Sequence, residues 1–367
     1  MILRRLPALC VALALVWSVG LAAQNDKKRD EAQKKEIQSI IKVVDDVSAG
    51  QTGANDLSVT WVHDDVLKAQ GNKQYVPFTI GFDPSKVTGG TVALYWRVVS
   101  KSAAAPAPAP ADAGKKDDKN KDKDKKKPEY AYEDISFVQA AAGQNPMNVS
   151  RSFTVPAGAY DVFVVVKEPT PEKPAKNAPP PKLSVLKHSI DVPDFWNGDL
   201  NTSSVILAQR IDPLPAPLTP QQQIERPYAL GMMEIVPMLD TKFAKKAELS
   251  TFILIYNPKV DKDNKPDVMV EYNFCQVGVA AEAPKPGEPP SPCKAGEKFF
   301  NKTNPQNLNA TTLPPQFDMA AGHQLQSGQA VALTPFPEGT YRLEIKVTDK
   351  VANKTLTRDV NFTVSAS

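Results

Sequence analysis

The chain has 367 residues, with 44 Lys and Arg against 41 Asp and Glu, a formal charge of +3. Eight lysines and four aspartates between Lys115 and Lys127 supply +4 by themselves, so the remainder is close to neutral. A nucleic-acid binder gathers its cations on a folded face; here they sit in one low-complexity stretch, which argues against that class. Residues 1–23 begin with Arg4 and Arg5, continue through an apolar run to about Leu21 and end in Ala22 and Ala23. That order predicts a cleaved secretory signal peptide. The run is shorter than the roughly 20 residues of a membrane span, and no later segment is apolar enough to serve as one. The expectation is an exported protein, periplasmic or extracellular, with no transmembrane segment after cleavage.

Residues 24–56 form a polar leader. Within it Ile37, Ile40, Ile41, Val44 and Val47 share one stripe at helical spacing, and Ala49 and Gly50 stop it. The stripe is too short for a coiled coil, so this short amphipathic helix is expected to pack on the domain that follows.

Residues 57–193 alternate apolar and polar side chains in about seven short stretches. Among them are Leu57 to His63, Tyr75 to Phe82, Thr91 to Val99 and Ala159 to Val166. Turn signals at Asp83-Pro84, Gly89-Gly90 and Pro156 to Gly158 separate them. Many short strands without a long helix predict an immunoglobulin-like β-sandwich. Insertions near 101–128 and 169–182, rich in Ala, Pro, Lys and Asp, lack the apolar surface to fold and are expected to be disordered. Residues 194–230 are a Pro-rich interdomain segment, and 231–367 a second sandwich.

The two halves repeat one pattern. Gly158, Tyr160, Val162, Val164 and Val166 are echoed by Gly339, Tyr341, Leu343, Ile345 and Val347. Val76, Phe78, Ile80 and Phe82 are echoed by Ser250, Phe252, Leu254 and Tyr256, in the same order. The fold class is therefore all-β, two tandem immunoglobulin-like sandwiches behind a signal peptide and a short helix. Of three cysteines, Cys10 leaves with the signal. Cys275 and Cys293 remain, and an even pair in an oxidising compartment predicts a disulfide.

The ending from Leu333 to Asp349, with Phe362 to Val364, resembles the closing hairpin of bacterial Ig-like domains. The stretch from Ser203 onward is similar to the sandwich region of uncharacterised exported bacterial proteins that carry a Gly-Trp-x-Thr-Asp motif. That motif is absent here. The resemblance implies a sandwich fold and an extracytoplasmic location, and it brings no catalytic residues.

The candidate chemistry is sparse. His63, His188 and His323 are far apart in sequence, and His63 with Asp64 and Asp65 reads as strand-end polarity. Asp261, Asp263 and Asp267 resemble a calcium loop, yet Lys265, Pro266 and Tyr272 occupy positions that need a ligand, a glycine and a glutamate. Ser39 with Lys42, and Ser184 with Lys187, match only a fragment of a penicillin-recognising pattern. No nucleophile elbow, zinc-protease or phosphate-loop motif occurs, so no catalytic, cofactor or metal residue is expected. The expected function is non-enzymatic: interaction with a protein or envelope component, with Trp61, Phe195 and Trp196 as the candidate interaction residues. Carbohydrate or cell-wall binding is the alternative, and it requires Trp61, Trp96 and Trp196 to form an exposed aromatic row.

Overall fold

The computed structural model describes residues 34–102, 130–141, 143–171, 177–280 and 291–366. The signal peptide, Cys10, most of the expected insertion near 101–128 and residues 172–176 of the one near 169–182 lie outside the described residues. Helix α1 (34–48) leads into β1 (Thr60–Asp64), β2 (Leu67–Lys68), β3 (Gln74–Phe82), β4 (Thr91–Ser100), β5 (Tyr132–Gln139), β6 (Met147–Val155), β7 (Gly158–Lys167) and β8 (Leu183–Val192). Strands β1 and β2 flank β3 on one edge and β6 on the other, while the facing sheet runs β5-β4-β7-β8. Val76, Phe78 and Ile80 meet Leu94, Trp96, Val162 and Val164 between the sheets, all almost wholly buried.

The second sandwich contains β9 (Asn201–Thr202), β10 (Ile206–Pro213), α2 (Pro220–Glu225), β11 (Ala229–Leu230), β12 (Met233–Pro237), β13 (Lys242–Ala244) and β14 (Glu248–Tyr256). It continues with β15 (Val268–Val277), β16 (Glu297–Lys302), β17 (Gln306–Leu308), β18 (Leu325–Ala332), β19 (Gly339–Asp349) and β20 (Lys354–Ser365). One sheet runs β11-β12-β10-β14-β18 and the other β13-β20-β19-β15-β16. The pairs β3-β6 and β14-β18 correspond, as do β5-β4-β7-β8 and β16-β15-β19-β20. These are two immunoglobulin-like sandwiches with one strand order. Within the Pro-rich segment 194–230, Ile206, Leu207 and Ala208 pair with Phe252, Thr251 and Ser250 and add a strand to the second sandwich.

The repeated Gly-x-Tyr has a geometric cause. Gly158 and Gly339 hold φ at +152° and +143°, which side-chain-bearing residues avoid. Two residues later Tyr160 donates its hydroxyl to the Pro156 carbonyl at 2.9 Å, and Tyr341 to Pro337 at 2.7 Å. This is the tyrosine corner of immunoglobulin-type sandwiches, present in both copies. Tyr341→Phe keeps the ring and leaves the carbonyl unpaired, so urea unfolding should show a loss of about 1 kcal/mol.

Val92 to Trp96 of β4 and Val162 to Val166 of β7 are unbroken apolar runs because both of their faces are covered. Their inner residues fill the sandwich, and their outer residues Ala93, Tyr95, Phe163 and Val165 lie under Ile40 and Val44 of α1. Burying each of those two helix side chains contributes about 1.5–3 kcal/mol. Polar contacts fix the helix at its rim. Arg97, 1% exposed, pairs with Asp45 at 2.8 Å and with Glu133 at 3.1 Å, and Lys167 pairs with Glu36. The expected packing of the helix on the first domain is what forms.

Candidate functional site

The two sandwiches meet through their β3 and β14 sheets. On β14, alternation sends Leu249, Ile253 and Ile255 into the second core, while Phe252, Leu254 and Tyr256 point the other way. Those three, with Ile206, Ala208, Tyr228 and Ile235, are continuous with the first core. Backbone and side chains then stitch the joint. Ser204 N–H donates to Val66 O at 3.0 Å, and Val66 N–H returns a bond to Ser204 Oγ at 2.8 Å. Lys68 N–H donates to the Tyr256 hydroxyl at 3.0 Å, and the Tyr75 hydroxyl to Pro227 O at 2.8 Å.

At its centre is a buried carboxylate. Asp65 is 2% exposed. It accepts the Tyr228 hydroxyl from the second sandwich at 2.9 Å and lies 2.8 Å from His63 Nε2. A bulge in β1 between Trp61 and His63 shifts the register. Trp61 stacks on Phe78 and on His188, with centroids 5.0 and 4.2 Å away, and donates its indole N–H to Asp64 at 2.8 Å. Burial alone would lower the pKa of His63, but the hydrogen bond and charge of Asp65, with the charge of Asp64, outweigh it and hold the value above 6.5. Burial followed by the Asp65 charge raises the Tyr228 phenol, which stays protonated as a donor.

A raised folded pKa means that the stabilisation is complete below about pH 6.5 and is lost as pH rises through the folded value. Unfolding midpoints should therefore fall through that window for the native chain. In His63→Gln the fall should be smaller, as a pH series of urea melts would record.

Beside this network a groove of about 710 Å³ opens between the sandwiches. Leu67, Leu230, Met233, Phe252 and Leu254 supply its apolar lining, and Gln70, Gln223, Gln324 and Gln326 its amides, with Lys68 among them. Phe195, 2% exposed, packs on Tyr256 at 4.9 Å and seals the joint. Trp196, 38% exposed, donates its indole N–H to the carbonyls of Ala69 and Lys73, both at 3.0 Å. Backbone hydrogen bonds from Asn197 and Trp196 hold the Asp194 carboxyl below its ordinary range. Of the sequence-derived candidates, Phe195 and Trp196 thus lie at the joint. Trp61 is engaged inside the first sandwich and Trp96 is 1% exposed, so these tryptophans do not form an exposed row.

A second polar centre lies on the outer face of the β19 sheet. Cys275 and Cys293 form a disulfide across 18 residues. Arg342, 3% exposed, contacts Glu297 at 2.7 Å, Asp359 at 2.7 Å, Glu344 at 3.5 Å and Pro292 O at 3.0 Å. The Cys275, Cys293 and Glu297 ligand atoms fall within 4.8 Å of one another. Both sulfurs are spent in the disulfide, however, and the guanidinium occupies the place a cation would take. Hydrogen bonding to Arg342 holds the Glu297 carboxyl below its ordinary range.

Elsewhere, Asp261 accepts the backbone N–H groups of Asp263 and Lys265, each at 2.9 Å, and so closes its own turn. His323 Nδ1 accepts from Asp318 N–H at 3.1 Å, far in the fold from the His63 network. Sequence reading missed Asp65, Tyr228, Lys68 and Arg342 because each takes its meaning from partners distant in the chain. One signal for the joint was present: the run from Phe252 to Tyr256 does not alternate, as expected of a strand covered on both faces.

The structure thus defines a tandem immunoglobulin-like protein whose two sandwiches share a continuous core across a hydrogen-bonded joint. No helix among the described residues is long and apolar enough to cross a membrane. No family model matches the chain, and no curated protein matches it. Among solved structures it is similar to native E. coli alpha-2-macroglobulin at 9% identity and a TM-score of 0.21, over 87% of this chain and 15% of that one. A point mutant of Salmonella alpha-2-macroglobulin gives 9% identity and a TM-score of 0.19, over 86% of this chain and 17% of that one. The chain therefore spans about a sixth of the length of either.

Proposed function

We propose that this chain is exported and acts without catalysis, as an extracytoplasmic protein that binds another protein or an envelope component. The observation that carries this reading is the joint: two sandwiches held in one orientation by a shared core, with a groove of mixed polarity left open between them. Rigid joining presents a fixed composite surface, and clefts between domains are common binding positions. The leader from Met1 to Ala23 and the Cys275–Cys293 disulfide support an oxidising compartment outside the cytoplasm.

Fractionation of native cells should recover the protein outside the cytoplasm, with a mature N-terminus near Gln24. A cytoplasmic chain still beginning at Met1 would overturn export. In-cell cross-linking should capture one partner reproducibly, and tagging that partner should capture this chain in return. Repeated failure of the reciprocal capture counts against the interaction reading.

A further inference from the structure

The groove at the joint has one cation and no carboxylate in its lining. Lys68 Nζ lies 4.2 Å from the centroid of the Trp196 ring and 5.9 Å from that of Tyr256. It has no ion pair among the described residues. Partial burial lowers its pKa, with the charge of Asp194 opposing the shift. Aromatic faces compensate a desolvated ammonium only in part, and a full counter-ion does so better.

The other polar groups are of one kind. The side-chain amides of Gln70, Gln324 and Gln326 make no hydrogen bond to any described residue. Each primary amide offers two donors and one acceptor, the complement of a peptide group. Leu67, Met233 and Leu254 line the same groove. The volume of about 710 Å³ falls within the range of ligand clefts. A sugar wants an open aromatic face, but Lys68 lies over the Trp196 ring and Phe252 is only 5% exposed. A nucleic-acid backbone wants several cations.

We infer that the groove binds the carboxyl-terminal residues of a partner polypeptide, with its terminal carboxylate on Lys68, its last side chain on the apolar lining and its peptide groups on the glutamine amides. The ammonium and the apolar lining share one groove, so the ligand must present a carboxylate and an apolar side chain close together. A terminal Leu, Val or Phe does so within one residue, whereas an internal Asp or Glu does not. This assignment rests on the interaction reading above and names the chemistry of its partner.

Fluorescence anisotropy with labelled peptides tests it. Three matched sets are used: apolar last residue as the free acid, the same sequences as C-terminal amides, and amides with one internal Glu. The free acids should bind at least about tenfold more tightly than either amide set, which corresponds to about 1.4 kcal/mol. Lys68→Met should remove that preference and Lys68→Arg should keep it. Gln326→Glu, on the exposed rim, should weaken the free acids more than the amides and so narrow the preference.

Equal binding of acid and amide, equal binding of the internal-Glu set, or an unchanged preference in a folded Lys68→Met would each overturn the assignment. Absence of binding by all three sets would overturn it too. A partner cross-linked in cells would in that case keep the interaction reading and move it to another surface.

Discussion

Arg342→Met lowers the unfolding free energy of the second sandwich by about 3–5 kcal/mol, the cost of leaving buried partners of an ion pair without their counter-charge. Arg342 is 3% exposed and Glu297 7% exposed. Removing the guanidinium leaves Glu297 with the Lys294 backbone N–H at 2.8 Å and strips Glu344 and Asp359 of their shared cation, while the Lys294 ammonium, 2.5 Å from Asp359, answers from an exposed position. The disulfide is the weaker staple: closing a loop of 18 residues is worth about 3 kcal/mol in the chain-entropy model. Reduction of the native chain should therefore cost less than the substitution.

The pH dependence separates the two. Glu297 and Asp359 have depressed pKa values in the native chain. Their contribution is present above the ordinary carboxylate range and is lost as pH falls through the folded values. In Arg342→Met the crowded carboxylates favour protonation, so acidification toward pH 4 narrows the gap between variant and native chain. Urea unfolding at pH 7 and pH 4, with and without reductant, reads all of these quantities.

Phe195→Ala is expected to cost about 3–5 kcal/mol, the range for truncating a buried phenylalanine, and to change the form of the transition. Phe195 joins the two sandwiches by packing on Tyr256 where their cores run together. With that contact gone the joint keeps the Asp65–Tyr228, Ser204–Val66, Lys68–Tyr256 and Tyr75–Pro227 hydrogen bonds, each worth about 0.5–3 kcal/mol net, and a smaller apolar contact around Phe252 and Leu254. Calorimetry of the native chain should show one cooperative transition. The variant should show two, the first sandwich and the second separating. A single transition at the native midpoint would remove Phe195 from the coupling.

Much of this fold was legible in local pattern. Alternation marked most of the strands, and glycine with tyrosine two positions later marked both corners. The pair Cys275 and Cys293 marked the staple. The stripe from Ile37 to Val47 marked a helix that needed a surface to cover. What escaped was how the elements pair. Strand β10 joins β14 through only three residue pairs, and the non-alternating run of β14 is covered on its outer face by the first sandwich. Asp65 read as strand-end polarity because nothing near it in the chain announces Tyr228, 163 residues away.

The sequence by itself determined what short-range physics determines. Periodicity set strand and helix, glycine set the positive-φ corners, and the leader and cysteine count set the expected compartment. The tertiary structure alone decided which side chains share a joint. Packing brought Asp65 to Tyr228, stood Lys68 over Trp196, and put Arg342 among three carboxylates. Each of those environments is made by strands from distant parts of the chain, and the free energy of a charge depends on the groups within a few ångströms of it rather than on its neighbours in sequence.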